Sequence, residues 1–111
     1  MLDNTQILKG ILEGCILKLI DDNPVYGYEL ALKLQEYQLD VSEGSIYPVL
    51  LRLQKKKLIT GKMKKSASGP NRKYYYLTKE GKKYLKEFEV SWKNIKDSVD
   101  DLMDGGTCDE D

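Results

Sequence analysis

The sequence predicts a mainly α-helical protein with a small β-hairpin set into it, an α+β fold in the order α-α-α-β-β-α. Three observations carry that prediction. Apolar residues recur at helical spacing along four stretches, over residues 7–20, 30–34, 46–53 and 85–102. A run of turn-forming residues, Ser66-Ala67-Ser68-Gly69-Pro70-Asn71, separates two short stretches of strand character. With 41% hydrophobic and 32% charged residues, the 111-residue chain can fill one core and does not have the composition of a disordered protein.

The first helix begins at a cap supplied by Asp3 or Asn4 and runs to about Ile20. Its apolar residues, Ile7, Leu8, Ile11, Leu12, Cys15, Ile16, Leu19 and Ile20, fill two adjacent stripes, so it should touch both its own domain and something else. Gly10 and Gly14 leave room for a close neighbour. Asp21-Asp22-Asn23-Pro24 ends the helix, because proline disfavours helix in the residue before it. A second helix spans Tyr26 or Gly27 to about Leu39, with Leu30, Ala31 and Leu34 inward. Ser42 caps a third, in which Ile46, Val49, Leu50 and Leu53 form the buried stripe and Ser45, Tyr47, Pro48, Arg52 and Lys55 or Lys56 the opposite face. Strands follow at Leu58–Lys65 and Arg72–Thr78, with Tyr75 and Leu77 facing the helices. Thr78 caps a last helix from Lys79 to about Met103. On it Leu85, Phe88, Trp92, Ile95, Val99 and Leu102 recur at spacings of 3, 4, 3, 4 and 3, a heptad seam that the residues after it offer nothing to cover. Three helices and then a hairpin is the order of a winged helix-turn-helix. Residues 1–78 are expected to form that unit, 79–103 a dimerisation helix, and 104–111 a disordered acidic tail.

The formal net charge is zero, but its distribution is uneven. Residues 1–41 hold 3 basic and 7 acidic side chains, residues 42–83 hold 12 and 2, and residues 84–111 hold 3 and 9. A middle third this basic, falling on a helix and a hairpin, is the electrostatic footprint of a nucleic-acid binder. Arg52, Lys62, Lys64, Lys65, Arg72 and Lys73 are the candidate phosphate contacts, with Ser66, Ser68 and Asn71 as further donors. Ser45, Tyr47 and Arg52 are the candidate base readers. Each has a plainer reading. Tyr47 can lie against the second helix, Arg52 can pair with Glu29 or Glu36, and Lys55–Lys57 can serve the helix C-terminus.

Several classes are excluded or disfavoured. The chain has no histidine, no phosphate-cradling glycine loop and no metal-ligand spacing, so neither an enzyme nor a cofactor is expected. Two cysteines, Cys15 and Cys108, make no disulfide framework and fit a reducing cytoplasm. The apolar run Ile7–Ile20 is too short and too charged to cross a membrane.

The segments Val25-Tyr26-Gly27-Tyr28-Glu29-Leu30, Gly44 to Leu53 (Gly-Ser-Ile-Tyr-Pro-Val-Leu-Leu-Arg-Leu) and Gly69 to Gly81 (Gly-Pro-Asn-Arg-Lys-Tyr-Tyr-Tyr-Leu-Thr-Lys-Glu-Gly) resemble the PadR-like family of transcriptional regulators. With the helices between them they cover residues 7 to about 103. The resemblance implies a homodimeric repressor, with a C-terminal dimerisation helix, that releases its operator on binding a small effector. The last helix is similar to that of the short, single-helix subgroup, where in multidrug-sensing members a Trp stacks on flat aromatic ligands at the dimer centre. Trp92 holds that place, with Phe88 one turn before it. There are departures: the position after the two wing tyrosines, commonly basic in the family, is Tyr76, and Lys96 stands where the multidrug sensors carry an acid.

Leu8 and Leu12 of the first helix are expected at the dimer interface with Leu85, Phe88, Trp92, Ile95, Val99 and Leu102. Two-fold symmetry would set the paired third helices about 34 Å apart, so the double-stranded operator should be an inverted repeat. A winged-helix protein-interaction module without specific DNA binding is the other reading, and salt dependence separates the two.

Overall fold

A computed structural model of the chain describes residues 4–65 and 69–105. Helix α1 (Thr5–Asp22) is followed by a two-residue strand β1 (Val25–Tyr26), helices α2 (Gly27–Glu36) and α3 (Glu43–Lys55), strands β2 (Ile59–Lys64) and β3 (Arg72–Leu77), and helix α4 (Lys79–Met103). The expected hairpin is therefore part of a three-stranded antiparallel sheet in the order β1-β3-β2. Val25 pairs with Tyr75 and Tyr26 with Tyr74, which ties the entrance of α2 to the wing. The linear order α-α-α-β-β-α gains one element by this, and the mainly helical winged fold stands.

Helix boundaries follow from backbone closure. α1 runs two residues past Ile20, and the Asn23 amide returns to the Leu19 carbonyl at 3.3 Å. α2 stops at Glu36, three residues short of Leu39. Gln38 there adopts a left-handed conformation at φ 63°, and the Leu39 amide donates to the Leu34 carbonyl at 2.9 Å. α3 ends in the same way, with Lys57 at φ 62° and the Leu58 amide on the Leu53 carbonyl at 3.0 Å. Two of the expected side-chain caps are not made. Asn4 and Ser42 occupy the cap positions of α1 and α3 without bonding a helix amide, and Ser42 Oγ lies 3.0 Å from Ser45 Oγ instead. Thr78 does cap α4: its Oγ1 accepts from the Gly81 amide at 3.0 Å and donates to the Lys57 carbonyl at 2.8 Å. Asp3, Ser66, Ser68 and the tail from Gly106 onward lie outside the described residues.

The core is built from Ile16 and Leu17 of α1, Leu30 and Leu34 of α2, Ile46, Leu50 and Leu53 of α3, and Val25 of β1, all essentially inaccessible. Each such side chain contributes roughly 1.5–3 kcal/mol by leaving water. Tyr75 and Leu77 turn toward this core from the wing, as the alternation predicts. α4 joins through two glycines. A side chain at Gly81 would collide with the Leu58 carbonyl oxygen, and one at Gly14 with the Phe88 ring. Gly10, by contrast, faces open space. Leu85 is 4% exposed and Leu12 7%, so both belong to the core of the single protomer. They have little surface left for the second subunit at which the sequence placed both, Leu85 through the heptad pattern of the last helix. Beyond Phe88, α4 leaves the body of the fold. Trp92, Ile95, Val99 and Leu102 are open to solvent, with Ile95 59% and Leu102 71% exposed.

Candidate nucleic-acid interface

The reading face of α3 is set by what the helix buries. With Ile46, Val49, Leu50 and Leu53 inward, Gly44, Ser45, Tyr47, Pro48, Leu51 and Lys55 remain exposed. Tyr47 lies against the second helix, as its plainer reading expects, and is still partly exposed. Its ring leans on α2, where a Cβ at Gly27 would sit 2.7 Å from Tyr47 Cε1, yet the residue is 46% exposed. Its hydroxyl donates to Glu43 Oε2 at 2.9 Å, and that bond to a carboxylate pushes the phenol above its usual range. Gly27 thus sets how close the Tyr47 ring can lie, and Glu43 sets its tilt. Tyr47 then forms one wall of a depression of about 300 Å³ between α3, the start of α2 and β3, lined by Tyr26, Gly27, Tyr28, Arg72, Lys73 and Tyr75.

The wing cations are sorted by strand register. Lys62 pairs with Tyr74, Lys64 with Arg72 and Thr60 with Tyr76, so these six residues share the outer face of the sheet. There the cations lie over tyrosine rings. Arg72 sits 4.4 Å from the Tyr26 centroid, Lys64 5.5 Å from Tyr74 and Lys62 5.5 Å from Tyr76. Tyr26 and Tyr74 meet edge-to-face at 5.5 Å. Contacts of this kind contribute about 0.5–1 kcal/mol each at exposed sites and restrict long side chains that would otherwise sweep freely. Tyr76 thereby acts as a seat for Lys62 and Lys64 in place of a cation of its own. Lys73 is on the opposite face and reaches Gln54 Oε1 of α3 at 3.1 Å. The wing cations, expected as one group, therefore divide between two faces, with Lys65 exposed just past the end of β2.

Arg52 is engaged elsewhere. Its Nε donates to Glu13 Oε2 of α1 at 3.2 Å, and Lys56 Nζ reaches Glu13 Oε1 at 3.1 Å. The expected partner, Glu29 or Glu36, is replaced by a residue 39 positions away in sequence. Burial pushes the Glu13 carboxyl up, but the hydrogen bonds and charges of Lys56 and Arg52 outweigh it, and the group ionises below its ordinary value of 4.5. Nothing in the neighbouring sequence singles out Glu13, one of several charged residues in α1.

On the far side of α1, an apolar groove of about 460 Å³ runs between α1 and α4, lined among others by Ile11, Cys15, Leu19, Tyr37, Phe88 and Trp92. Burial raises the Cys15 thiol above its usual range, so it is a poor nucleophile here. Phe88 is half-buried over Gly14, while Trp92 remains 37% exposed at the groove's end. Among the described residues, no helix is long and apolar enough to cross a membrane.

A family profile described as the transcriptional regulator PadR-like family matches residues 16–87. The chain belongs to the PadR-like family. The regulator is similar to a PadR-like transcriptional regulator from Bacillus cereus, at 54% identity over 88% of this chain and 96% of that one, with a TM-score of 0.81. It is similar to a Streptococcus transcriptional regulator, at 42% identity over 88% and 97% of the two chains and a TM-score of 0.81. A PadR family transcription regulator from Clostridium difficile matches at 32% identity over 84% and 98%, with a TM-score of 0.77. Family and fold together make this chain a DNA-binding transcriptional regulator and not an enzyme.

Proposed function

We propose that this PadR-like regulator is a cytoplasmic homodimeric repressor that holds an inverted-repeat operator through α3 and the wing, and releases it when a planar aromatic effector enters beside Trp92. The observation that carries the DNA-facing half is the wing's outer face, where Lys62, Lys64 and Arg72 are pre-positioned over tyrosine rings, Arg72 also lining the depression walled by Tyr47 of α3. Ser45 and Tyr47 are the base-reading candidates, and Lys65 and Lys73 supply further phosphate contacts. The dimer half rests on α4. Ile95, Val99 and Leu102 continue the heptad seam beyond Trp92, exposed and uncovered among the described residues, and Leu8 of α1 is half-buried beside the core. The groove carrying Trp92 and Phe88 is lined mainly by apolar side chains, and its volume of about 460 Å³ falls within the range of small-molecule sites.

The test is duplex binding followed by fluorescence anisotropy. Lys64→Glu with Arg72→Glu should abolish binding to operator and random duplex alike, while the wild-type affinity falls steeply between low and moderate salt. A double variant that binds duplex normally would end the DNA-facing assignment. For the effector, planar aromatic compounds should quench Trp92 fluorescence and lower operator affinity together. Saturated protein that keeps its operator affinity would remove the release mechanism.

A further inference from the structure

Arg52 has the type, position and exposure of a phosphate contact, and the fold spends it on Glu13. The two residues sit on different helices, and Glu13 is the more enclosed partner, its side chain 20% exposed against 53% for Arg52. Lys56, at the C-terminal cap of α3, completes the grip and also lies over the Tyr84 ring of α4 at 5.8 Å. Arg52 follows Ser45 by seven residues, so two helical turns place it on the same flank of α3 as a base-reading candidate. Released from Glu13, the guanidinium would sweep the wall of the groove that α3 occupies. Lys56 would keep its contact with Tyr84.

We infer that Glu13 limits sequence-independent DNA binding by this regulator: by pairing with Arg52 it withholds a cation from phosphate. The inference rests on the DNA-binding reading of α3 and the wing. Affinity for random duplex comes almost wholly from cations that displace counterions from phosphates, whereas discrimination comes from base edges and DNA shape. A cation held by a carboxylate of its own chain adds less to the first term and leaves the second intact. The sequence-independent, salt-dependent part of binding is therefore smaller than the exposed cations of α3 would give. The same carboxylate joins α1, which packs against α4, to the C-terminal half of the reading helix, so the withheld charge sits on the seam between the dimer-side and DNA-side elements.

The experiment measures the salt slope of random-duplex binding for four proteins: wild type, Glu13→Gln, Arg52→Ala and the double variant. Glu13→Gln keeps the size of the side chain and removes its charge. It should bind random duplex more tightly at low salt, with a log–log slope steeper by about 0.9, the value for one added phosphate contact. Arg52→Ala alone should leave the wild-type slope unchanged, and added to Glu13→Gln it should restore that slope. An unchanged slope in Glu13→Gln, or a slope flattened by Arg52→Ala in the wild-type background, overturns the inference. The Arg52→Ala arm does so even if Glu13→Gln folds poorly. A wild-type protein with no affinity for duplex would instead bring down the DNA-binding reading, which the Lys64→Glu and Arg72→Glu variant tests independently.

Discussion

The two halves of α4 carry one continuous heptad seam and meet opposite fates. From Lys79 to Phe88 the helix lies on the protomer: Gly81 fits under the Leu58 carbonyl, Leu85 enters the core and Phe88 covers Gly14. From Trp92 to Met103 the same periodicity continues with no covering element among the described residues, and the exposed surface carries the pairs Lys93 to Asp97 at 3.5 Å and Lys96 to Asp100 at 3.1 Å. Helical spacing thus records that a stripe is apolar. It does not record what the stripe packs against, because a core and a subunit interface exclude water by the same physics.

Four substitutions or conditions test that contrast. Leu85→Ala, in the packed half, should lower unfolding free energy by about 2–5 kcal/mol, read by urea denaturation, without changing the association constant of whatever folded protein remains. If association weakens as much as folding does, the division of the seam is misplaced. Ile95→Asp, in the bare half, should leave the protomer fold intact and weaken self-association by at least 100-fold, about 2.7 kcal/mol, as followed by sedimentation equilibrium. A variant that remains as associated as wild type would mean that this stretch does not bind a second copy.

Acid should act on the packed side. Because the folded-state value of Glu13 is depressed, its pairing with Lys56 and Arg52 adds stability above the ordinary carboxylate value of 4.5 and loses it as pH falls through the lowered folded value. The melting-temperature difference between wild type and Glu13→Gln should accordingly be present at pH 7 and close below pH 4.5. A gap that persists in acid would assign the effect to packing instead of charge. The smallest effect is expected at Lys96→Met. Its partner Asp100 and its own side chain are both open to water, so thermal stability should not change measurably. A clear loss would show that the bare half depends on its own surface pairs.

Other regions divide along similar lines. β1 went unforeseen because a two-residue strand is too short to show alternation; only its pairing with β3 defines it. Glu13 was overlooked for a related reason, since its partners stand 39 and 43 residues away and nothing local announces them. The wing was anticipated almost to the residue, because its turn chemistry and alternating tyrosines are local signals. Placing all its cations together was wrong, since Lys73 alternates to the face opposite Lys62, Lys64 and Arg72.

What the sequence alone determined is whatever rests on nearest neighbours along the chain: four helices with their apolar stripes, the hairpin, the Thr78 cap and the concentration of positive charge between residues 42 and 83. Tertiary structure decided the assignments that need two distant segments in one place. It put Leu12 and Leu85 inside the protomer, seated the wing cations on Tyr26, Tyr74 and Tyr76, and gave Arg52 to Glu13. Local periodicity fixes which way a side chain points on its own helix or strand, but the group it meets there is supplied by chain closure, and closure has no signature in spacing.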